Sequence, residues 1–594
     1  MKRFNLWSTI IFLAVAAIPL VSFAENAEEA CPNEAMSITS TPPVRVGISN
    51  TSFSTYTHST INLSSAGGIS LRDKLTGTEI YKVPSNAILN IALENKKFKV
   101  KFMSQDGKSK EENIFIEDNI KTLSVIPQDG YTKTPDIKRL GNPAVYRGVL
   151  EITKNEKNPD TFYIVNVLGL ENYLRGVVPN EMPVSFGAEA LKAQAIAARN
   201  YVLKPRIKYY DAYDICDSVS CQVYFGAGTE NPISDMAISQ TEGNVATYDG
   251  ELILAQYSST AGGYTENYEN AFSSQKDKCI GCENNAIPYL KGVPDIATTP
   301  KLDNEENARD FYMNKPESFD SNSPYFRWQY EWTREELEKV LASNINNRSF
   351  TGVVKKNNLE EEEFGTLQNI EVLSRGVSGK VISLKITTDK NEYIVQKELV
   401  IRQLFKKDGK NLPSANIVFE FIKTDDNTSK KVEGNDEKNE ETKDNFVIST
   451  IKVYGGGLGH GVGMSQFGAG KMHKLGYKYD QILQHYYTGV SITTPQITLS
   501  DKKSNLNAIQ SFYAEEAKGT LYVKNDSTPA TLLVNLNGNA FEISFDRHSK
   551  LMIKTDISPY MNVGKNNVSY ALVGDNNKNK KAKVYIELKG AVNE

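Results

Sequence analysis

Residues 170–204 read LENYLRGVVPNEMPVSFGAEALKAQAIAARNYVLK and decide the fold at the centre of the chain. Apolar residues recur every three or four positions on both sides of Glu181, at 170, 173, 174 and 177 and again at 191, 195, 198 and 202. This spacing predicts two amphipathic helices. Pro179 and Pro183 disfavour one continuous helix through Glu181, because proline lacks a backbone donor and restricts the preceding residue. We therefore expect Glu181 on a short connector between two helices.

The second predicted helix has alanine at positions 190, 193, 195, 197 and 198. A helix with such small side chains can pack close to its neighbours and fix the connector rigidly, as a general acid or base requires. An ordinary surface carboxylate near a helix start, favoured by the helix dipole, is the simpler interpretation. Composition alone favours that simpler interpretation, so the rest of the chain has to decide between the two.

The composition is typical of a large, mostly globular protein. A length of 594 residues predicts several domains, and 40% hydrophobic residues are enough for sizeable cores. The net charge of −4 and the isoelectric point near 6.0 give no bulk electrostatic reason to expect nucleic acid as a partner.

The N-terminus resembles an export signal. Lys2 and Arg3 precede an apolar run over 6–23 that ends in small residues, so residues 1–24 are predicted to be a cleavable signal peptide. We expect the remainder to be secreted or associated with the cell wall, and attached to the membrane only if the signal stays uncleaved. Residues 25–43, with Cys31, are predicted to form a mobile tail.

Short runs that alternate apolar and polar residues predict an α+β protein with flanking β domains. Residues 44–135 read as an N-terminal β domain and 500–594 as a C-terminal, sandwich-like β domain. The helices lie in a core over 140–493 that also contains short strands. Within this core, residues 423–445 have one large apolar side chain, so we expect a disordered insertion.

A glycine-rich segment, GGGLGHGVGMSQFGAG, occupies Gly455 to Gly470 with His460 at its centre. It lacks the Gly-Lys-Ser/Thr ending of a phosphate-binding loop. Ser465 is predicted to cap a helix through Met472, and a second short helix over 479–487 carries His485. His460 fits either substrate binding or a structural role bonding to backbone groups of the loop. The five histidines of the chain lack the spacing of a histidine metal site.

A hydroxyl-rich segment, SSTAGGYTENYENAF, begins at Ser258. Hydroxyl groups and an aromatic ring on a flexible backbone suit recognition of the hydroxyls and apolar face of a sugar, although a plain polar turn is the simpler interpretation. No GxSxG motif surrounds the serines, so an acyl-enzyme hydrolase is not supported. The predicted substrate-binding residues of this segment and the glycine-rich one are Ser258, Ser259, Thr260, Gly262, Gly263, Tyr264, Thr265, His460, Gly461 and Gln466.

Four cysteines form two close pairs, Cys216 with Cys221 and Cys279 with Cys282. Export makes disulfides the expected state, and four cysteines allow three pairings between which sequence cannot choose. A zinc site that uses Cys216 and Cys221 is the alternative. We treat all four as structural.

These motifs together resemble the SpoIID/LytB family of bacterial cell-wall proteins. The resemblance rests on ENYLRGVVPNEMP with EALKAQAIAARNYVL, on CDSVSCQVYFGAG, on SSTAGGYTEN with PYLKGVPD, and on GHGVGMSQFGAGKMHKLGYKYDQILQHYYTGV. It covers roughly residues 140 to 493.

The resemblance implies peptidoglycan lytic transglycosylase activity, which cleaves between N-acetylmuramic acid and N-acetylglucosamine and leaves a 1,6-anhydro sugar. Glu181 matches the family's catalytic glutamate. It would act first as acid and then as base without a cofactor, and partial burial beside Met182, Val184 and Phe186 would suit both roles. Glycan strands are then the substrate, and the resemblance implies cell-wall remodelling during sporulation.

Other members of the family, of the LytB type, are described as enhancers of a cell-wall amidase. A glycan-binding module that assists an amidase is therefore the second hypothesis. Glu181 favours the enzyme, whereas the flanking β domains and the insertion favour the binding module.

Overall fold

The structure is a computed structural model. It describes residues 44–103, 112–116, 119–204, 212–272, 286–346, 354–425 and 446–493, together with strands and short segments between 496 and 588. The predicted signal peptide, the tail with Cys31, the pair Cys279 and Cys282, and residues 426–445 of the predicted insertion lie outside the described residues.

The described residues contain both helices and strands, and the strands form several separate sheets, so the α+β prediction is confirmed. The chain divides into two compact units, one formed by Met1–Val177, Ile207–Thr229 and Gln496–Glu594, the other by Val178–Arg206 and Glu230–Pro495. The helices are α1 (Leu170–Arg175), α2 (Val178–Glu181), α3 (Ala188–Leu203), α4 (Pro232–Gln240), α5 (Tyr268–Ala271), α6 (Glu305–Met313), α7 (Arg334–Asn346), α8 (Glu398–Leu404), α9 (Gln466–Lys474) and α10 (Tyr479–Tyr486).

The first unit contains an eight-stranded sheet. Its strands, in spatial order, are Ile215–Cys216, Val44–Gly47, Phe162–Leu168, Val149–Lys154, Thr122–Pro127, Ile69–Asp73 and Glu79–Val83, and Thr57–His58 also pairs with Phe162–Leu168. The sheet therefore joins strands from both sides of the predicted boundary between 135 and 140. Helix α1 follows directly after the strand Phe162–Leu168.

Smaller sheets complete this unit. One has Thr60–Leu63, Ile88–Glu94, Lys97–Met103 and Glu112–Phe115, and another has Tyr131–Arg139 and Asn142–Arg147. The C-terminal residues form two four-stranded sheets, Gln496–Ser500, Ala582–Leu588, Gly519–Asn525 and Ile553–Asp556 in one and Gln510–Ala514, Gly564–Val573, Ala530–Leu536 and Asn539–Phe545 in the other. The bounds of the predicted domains remain predictions.

The second unit contains the remaining helices and four sheets. The sheets are Glu251–Leu252, Val245–Tyr248 and Ser491–Thr493; Tyr257–Ser258 and Met464–Ser465; Trp328–Thr333, Phe446–Gly455 and Ile417–Asp425; and Val354–Lys356, Glu392–Gln396, Val381–Thr388 and Leu367–Arg375. The strand Ile417–Asp425 includes the first residues of the predicted insertion, which are therefore not disordered. The two larger sheets pack with α7 and α8 around their own hydrophobic core.

Candidate functional site around Glu181

Glu181 lies on a single helical turn between two longer elements. Helix α2 ends at Glu181, and the amide of Met182 still donates to the carbonyl of Val178 at 3.0 Å. Pro179 fits because the first turn of a helix leaves its amides unbonded. A 3₁₀ turn over Val184–Phe186 then leads to α3. The connector predicted from the prolines is thus itself helical and short.

Helix α3 is the central support of this connector. All five alanines of the predicted thin face are fully buried, and the helix packs against α4, α9 and α10. Asn200 fixes its C-terminal half, because its side-chain amide donates to the carbonyl of Ala246 at 2.7 Å and its side-chain oxygen accepts from the amide of Ala246 at 2.8 Å. The close packing expected from the alanines is confirmed.

Helix α9 fixes the connector from a second side. The side-chain amide of Gln466 donates to the carbonyl oxygen of Glu181 at 2.9 Å and to the side-chain oxygen of Gln194 on α3 at 3.2 Å. The rings of Phe186 and Phe467 pack edge to face with centroids 4.8 Å apart. Glu181 and Gln466 are 285 positions apart in the sequence, and the fold brings their two motifs together.

Gly187 joins the connector to α3. Its φ is +99°, which favours glycine. A β-carbon at this position would also overlap the ring of His473 on α9. The tight approach of α9 to the connector therefore depends on glycine at this position.

His460 is half-buried in the glycine-rich segment. Its Nδ1 accepts from the amide of Val462 at 3.0 Å, and its ring also bonds to the backbone of Tyr257. Burial and, as a smaller effect, the nearby positive charges of Lys380 and Arg402 lower the pKa of His460 to about 3. The ring is therefore neutral in ordinary buffers, and the simpler of the two sequence interpretations describes its contacts.

The hydroxyl-rich segment lies mostly inside the fold. Of the predicted sugar-binding residues in this segment, Ser259 is half-buried, whereas Ser258, Thr260, Gly262, Gly263, Tyr264 and Thr265 are buried. The hydroxyl groups of Thr260 and Ser323 bond to each other at 2.7 Å, and the hydroxyl of Thr265 accepts from the amide of Val293 at 2.8 Å. Buried groups that already have protein partners support a scaffold and argue against direct contact with sugar.

This scaffold packs directly on the glycine-rich segment. Gly262 has φ +83°, and a β-carbon there would lie 2.8 Å from the backbone carbon of Gly456. The backbone amide of Phe467, in the first turn of α9, donates to the carbonyl of Ser259 at 3.0 Å. Ser259 is thereby placed beside the helix that supports Glu181.

The sequence did not predict a role for two buried carboxylates in this region, Asp320 and Asp295. Asp320 accepts from the amide of Gly262 at 2.7 Å and from the hydroxyl of Ser318 at 2.7 Å. Asp295, in the quoted PYLKGVPD motif, accepts from His485 at 2.9 Å and from the hydroxyl of Tyr486 at 3.1 Å. Asp295 could have been found from its motif, but a single aspartate in the loop around Asp320 carries no local signal.

Burial and, as a smaller effect, the nearby charge of Asp295 raise the pKa of Asp320 to about 6. Between the ordinary carboxyl value of 3.8 and about 6, the folded state keeps a proton that the unfolded state has released. The free energy of unfolding therefore falls as pH rises through this window, by about 3 kcal/mol in total.

We predict that Asp320→Asn removes this dependence. The melting temperature of the variant minus that of the parent should increase as pH rises from about 4 to about 7. At low pH the variant should be the less stable protein, because asparagine loses one hydrogen bond of the aspartate. Calorimetry across this range measures it, with Asp310→Asn on the exposed part of α6 as the control. Parallel pH profiles of parent and Asp320→Asn would contradict the assignment.

The close cysteine pair lies in the first unit. Cys216 and Cys221 form a disulfide, which uses both thiols that the zinc alternative needs. Among the described residues, no group of three or more His, Cys, Asp or Glu side chains is arranged to bind a metal. Asp217, inside the disulfide loop, pairs with Arg139 at 2.6 Å.

The same motif supports helix α1. Gln222 accepts from the hydroxyl of Tyr173 at 3.0 Å, and Tyr224 stacks on Tyr173 with centroids 5.2 Å apart. Tyr224 in turn donates to Asn166 in the strand before α1 at 2.6 Å. CDSVSCQVYFGAG is thus a structural brace for the element that precedes Glu181.

Residues 158–248 match the family model of SpoIID, described as stage II sporulation protein. This range contains Glu181, α3 and the disulfide. This part of the chain is similar to SpoIID. The family resemblance expected from the motifs is confirmed. Residues 281–463 match a second family model, a domain of unknown function designated DUF8618.

Relatives of this chain have names from both branches of the family. The amidase enhancer of Bacillus subtilis (strain 168) is 28% identical over 336 residues, which are 54% of this chain and 40% of the relative. Stage II sporulation protein D of the same organism is 27% identical over 345 residues, 55% of this chain and 76% of the relative. An uncharacterized protein of Brachyspira hyodysenteriae is 28% identical over 369 residues, which are 61% of this chain and 74% of the relative. The match thus spans less than half the length of the amidase enhancer.

In the part of the chain that the structure describes, no helix is long and apolar enough to cross a membrane. The predicted signal peptide lies outside these residues. Export therefore remains a prediction from the sequence.

Proposed function

We propose that this chain is an exported cell-wall protein that cleaves peptidoglycan glycan strands as a lytic transglycosylase. The observation that carries the proposal is the position of Glu181, a half-buried carboxylate on a helical turn that α3 and α9 fix from two sides. Rigid positioning of one carboxyl group is what a single acid and base requires. A sporulation role is supported by the name of a relative, stage II sporulation protein D.

The reaction proceeds in two proton transfers at the Glu181 carboxyl group. The protonated carboxyl donates to the glycosidic oxygen as the bond from that oxygen to C1 of N-acetylmuramic acid breaks. The 6-hydroxyl oxygen of the same sugar then bonds to C1 and gives its proton to the Glu181 carboxylate. The proton balance closes, no water is consumed, and no second carboxylate is needed to position water.

The amidase enhancer relative supports a second function. In that case the chain binds glycan and raises the activity of a cell-wall amidase without cutting the strand. Burial of the hydroxyl-rich segment does not separate the two functions, because the scaffold would serve either one.

Product analysis separates the two functions. Purified full-length protein is incubated with intact glycan strands and with strands whose peptides have been removed, each with and without a cell-wall amidase. We expect 1,6-anhydro ends, detected by mass spectrometry, without the amidase. Faster peptide release with no new glycan ends would instead establish the enhancer.

Gln466 provides a test of the support for Glu181. Gln466→Leu removes both donations from its side chain, so the connector should shift slightly while the packing of Phe186 on Phe467 remains. We expect kcat to fall about 10- to 100-fold with little change in KM, because a small displacement of a catalytic group has a large effect on the chemical step. Initial rates of anhydro-end formation measure this.

Lys474→Ala, at the exposed end of α9, is the matched control and should retain the parental rate. Parental kcat in a folded Gln466→Leu protein would show that the bond to Glu181 is irrelevant to the reaction.

A further inference from the structure

A second polar group, the pair of His485 and Asp295, lies beside the first turn of α9. His485 on α10 donates through Nε2 to the Asp295 carboxylate at 2.9 Å. The Asp295 side chain is fully buried, whereas that of His485 is 25% exposed. A buried carboxylate thus fixes the direction of a partly exposed imidazole.

The backbone around Asp295 is fixed as well. Its amide donates to the carbonyl of Gly263 at 3.0 Å, and its carbonyl accepts from the amide of Phe319 at 2.9 Å. Its second carboxylate oxygen accepts from the hydroxyl of Tyr486 at 3.1 Å. His485 is therefore held in one orientation.

This arrangement leaves the other ring nitrogen of His485 available. In the neutral ring the bond to Asp295 places the proton on Nε2, so Nδ1 is a hydrogen-bond acceptor. Among the described residues, Nδ1 has no hydrogen-bond partner. An acceptor on a fixed ring at the surface is suited to a hydroxyl or amide donor from a ligand.

The ring of Phe319 borders the imidazole, and the ring of Tyr477 borders that of Phe319. The ring of Phe319 meets that of His485 edge to face with centroids 5.7 Å apart, and lies 6.1 Å from the ring of Tyr477. Tyr477 is 39% exposed. Aromatic faces beside a fixed polar acceptor match a sugar ring, which has an apolar face and hydroxyl groups at its edge.

The first turn of α9 connects this group to Glu181. Gln466 bonds to the carbonyl of Glu181, and Gly468, two residues later, packs on the Asp295 carboxylate and the hydroxyl of Tyr486. A β-carbon at Gly468 would overlap the Tyr486 hydroxyl. The Glu181 connector and the pair of Asp295 and His485 therefore both pack on the first turn of α9.

We propose that His485, Phe319 and Tyr477 form a saccharide subsite that binds a ring of the glycan strand near the bond that Glu181 cleaves. The ligand is an uncharged N-acetylated sugar, which packs on the aromatic rings and donates a hydroxyl or amide hydrogen to Nδ1 of His485. The inference rests on the proposed glycan function but concerns binding and not cleavage. Phe319 lies within the DUF8618 match, so the subsite gives that region a role in substrate binding.

Binding is tested in the full-length chain with Glu181→Gln, so that cleavage does not interfere. Calorimetry measures the affinity for peptide-free glycan strands. Tyr477→Ala should weaken binding about 5- to 10-fold through loss of ring packing. His485→Gln should weaken it about 5-fold or more, because glutamine can still donate to Asp295 but lacks the acceptor in the place of Nδ1. Leu475→Ala, at a residue that is 54% exposed and two positions before Tyr477, is the control and should bind as the parent does.

Unchanged affinity in both folded variants would overturn the subsite. If the chain with Glu181 intact cuts glycan while these variants bind normally, the subsite fails and the proposed function stands. If it cuts nothing but the variants lose affinity, the catalytic function fails and the subsite stands. Absence of glycan binding by the parent would overturn both.

Discussion

Replacing Glu181 with Gln is expected to abolish formation of 1,6-anhydro ends while the protein stays folded. Glutamine keeps the size of the side chain but can neither donate a proton to the leaving oxygen nor accept one from the 6-hydroxyl. Each of these roles contributes roughly 10²- to 10⁴-fold to a rate. A loss of at least about 10³-fold in the rate of end formation is therefore expected, measured by mass spectrometry of the digested strands.

The control for this variant is Glu306→Gln, which changes an exposed carboxylate in the first turn of α6. It should retain the parental rate. Parental melting temperature and glycan affinity in Glu181→Gln would assign the loss to the chemical step. Residual cleavage within about 10-fold of the parent would remove Glu181 from the mechanism.

The largest effect on stability is expected from Arg139→Met in the first unit. Arg139 and Asp217 are 2% and 0% exposed in their side chains and are 2.6 Å apart. Burial raises the pKa of Asp217 despite the opposing charge of Arg139. Loss of the arginine therefore leaves a buried carboxylate without its cation, at a cost of about 3–5 kcal/mol. Thermal unfolding should show a melting temperature lower by about 10 °C.

Asp217→Asn is the matched comparison and should be milder. Arg139 also donates to the carbonyl oxygens of Ser49, Asn50 and Lys138, so it keeps partners when the carboxylate is gone. Asparagine removes the buried charge together with its desolvation cost. Equal losses of stability in the two variants would contradict this account of the pair.

Local patterns predicted the elements that carry Glu181. Apolar spacing located α1 and α3, the two prolines located the break between them, and Ser465 caps α9 by accepting from the amide of Gly468 at 3.3 Å. Each of these features depends on neighbours within a few positions, which is why the sequence alone revealed them.

Long-range pairing decided what the sequence did not reveal. Thr260 has the composition of an exposed turn residue, yet it is buried because Ser323 supplies its partner from 63 positions away. The strand Val44–Gly47 pairs with Phe162–Leu168, so one sheet joins segments that alternation alone assigned to different domains. Hydroxyl-rich composition predicts a ligand surface only when the fold leaves the hydroxyls without protein partners.

The fate of the water oxygen tests the central claim most directly. Peptide-free glycan strands are digested by the full-length protein in water enriched in heavy oxygen, and the new muramic acid ends are analysed by mass spectrometry. The mechanism at Glu181 predicts 1,6-anhydro ends without heavy oxygen, because the 6-hydroxyl of the sugar attacks C1. New reducing ends that contain heavy oxygen would show hydrolysis and contradict the proposed reaction.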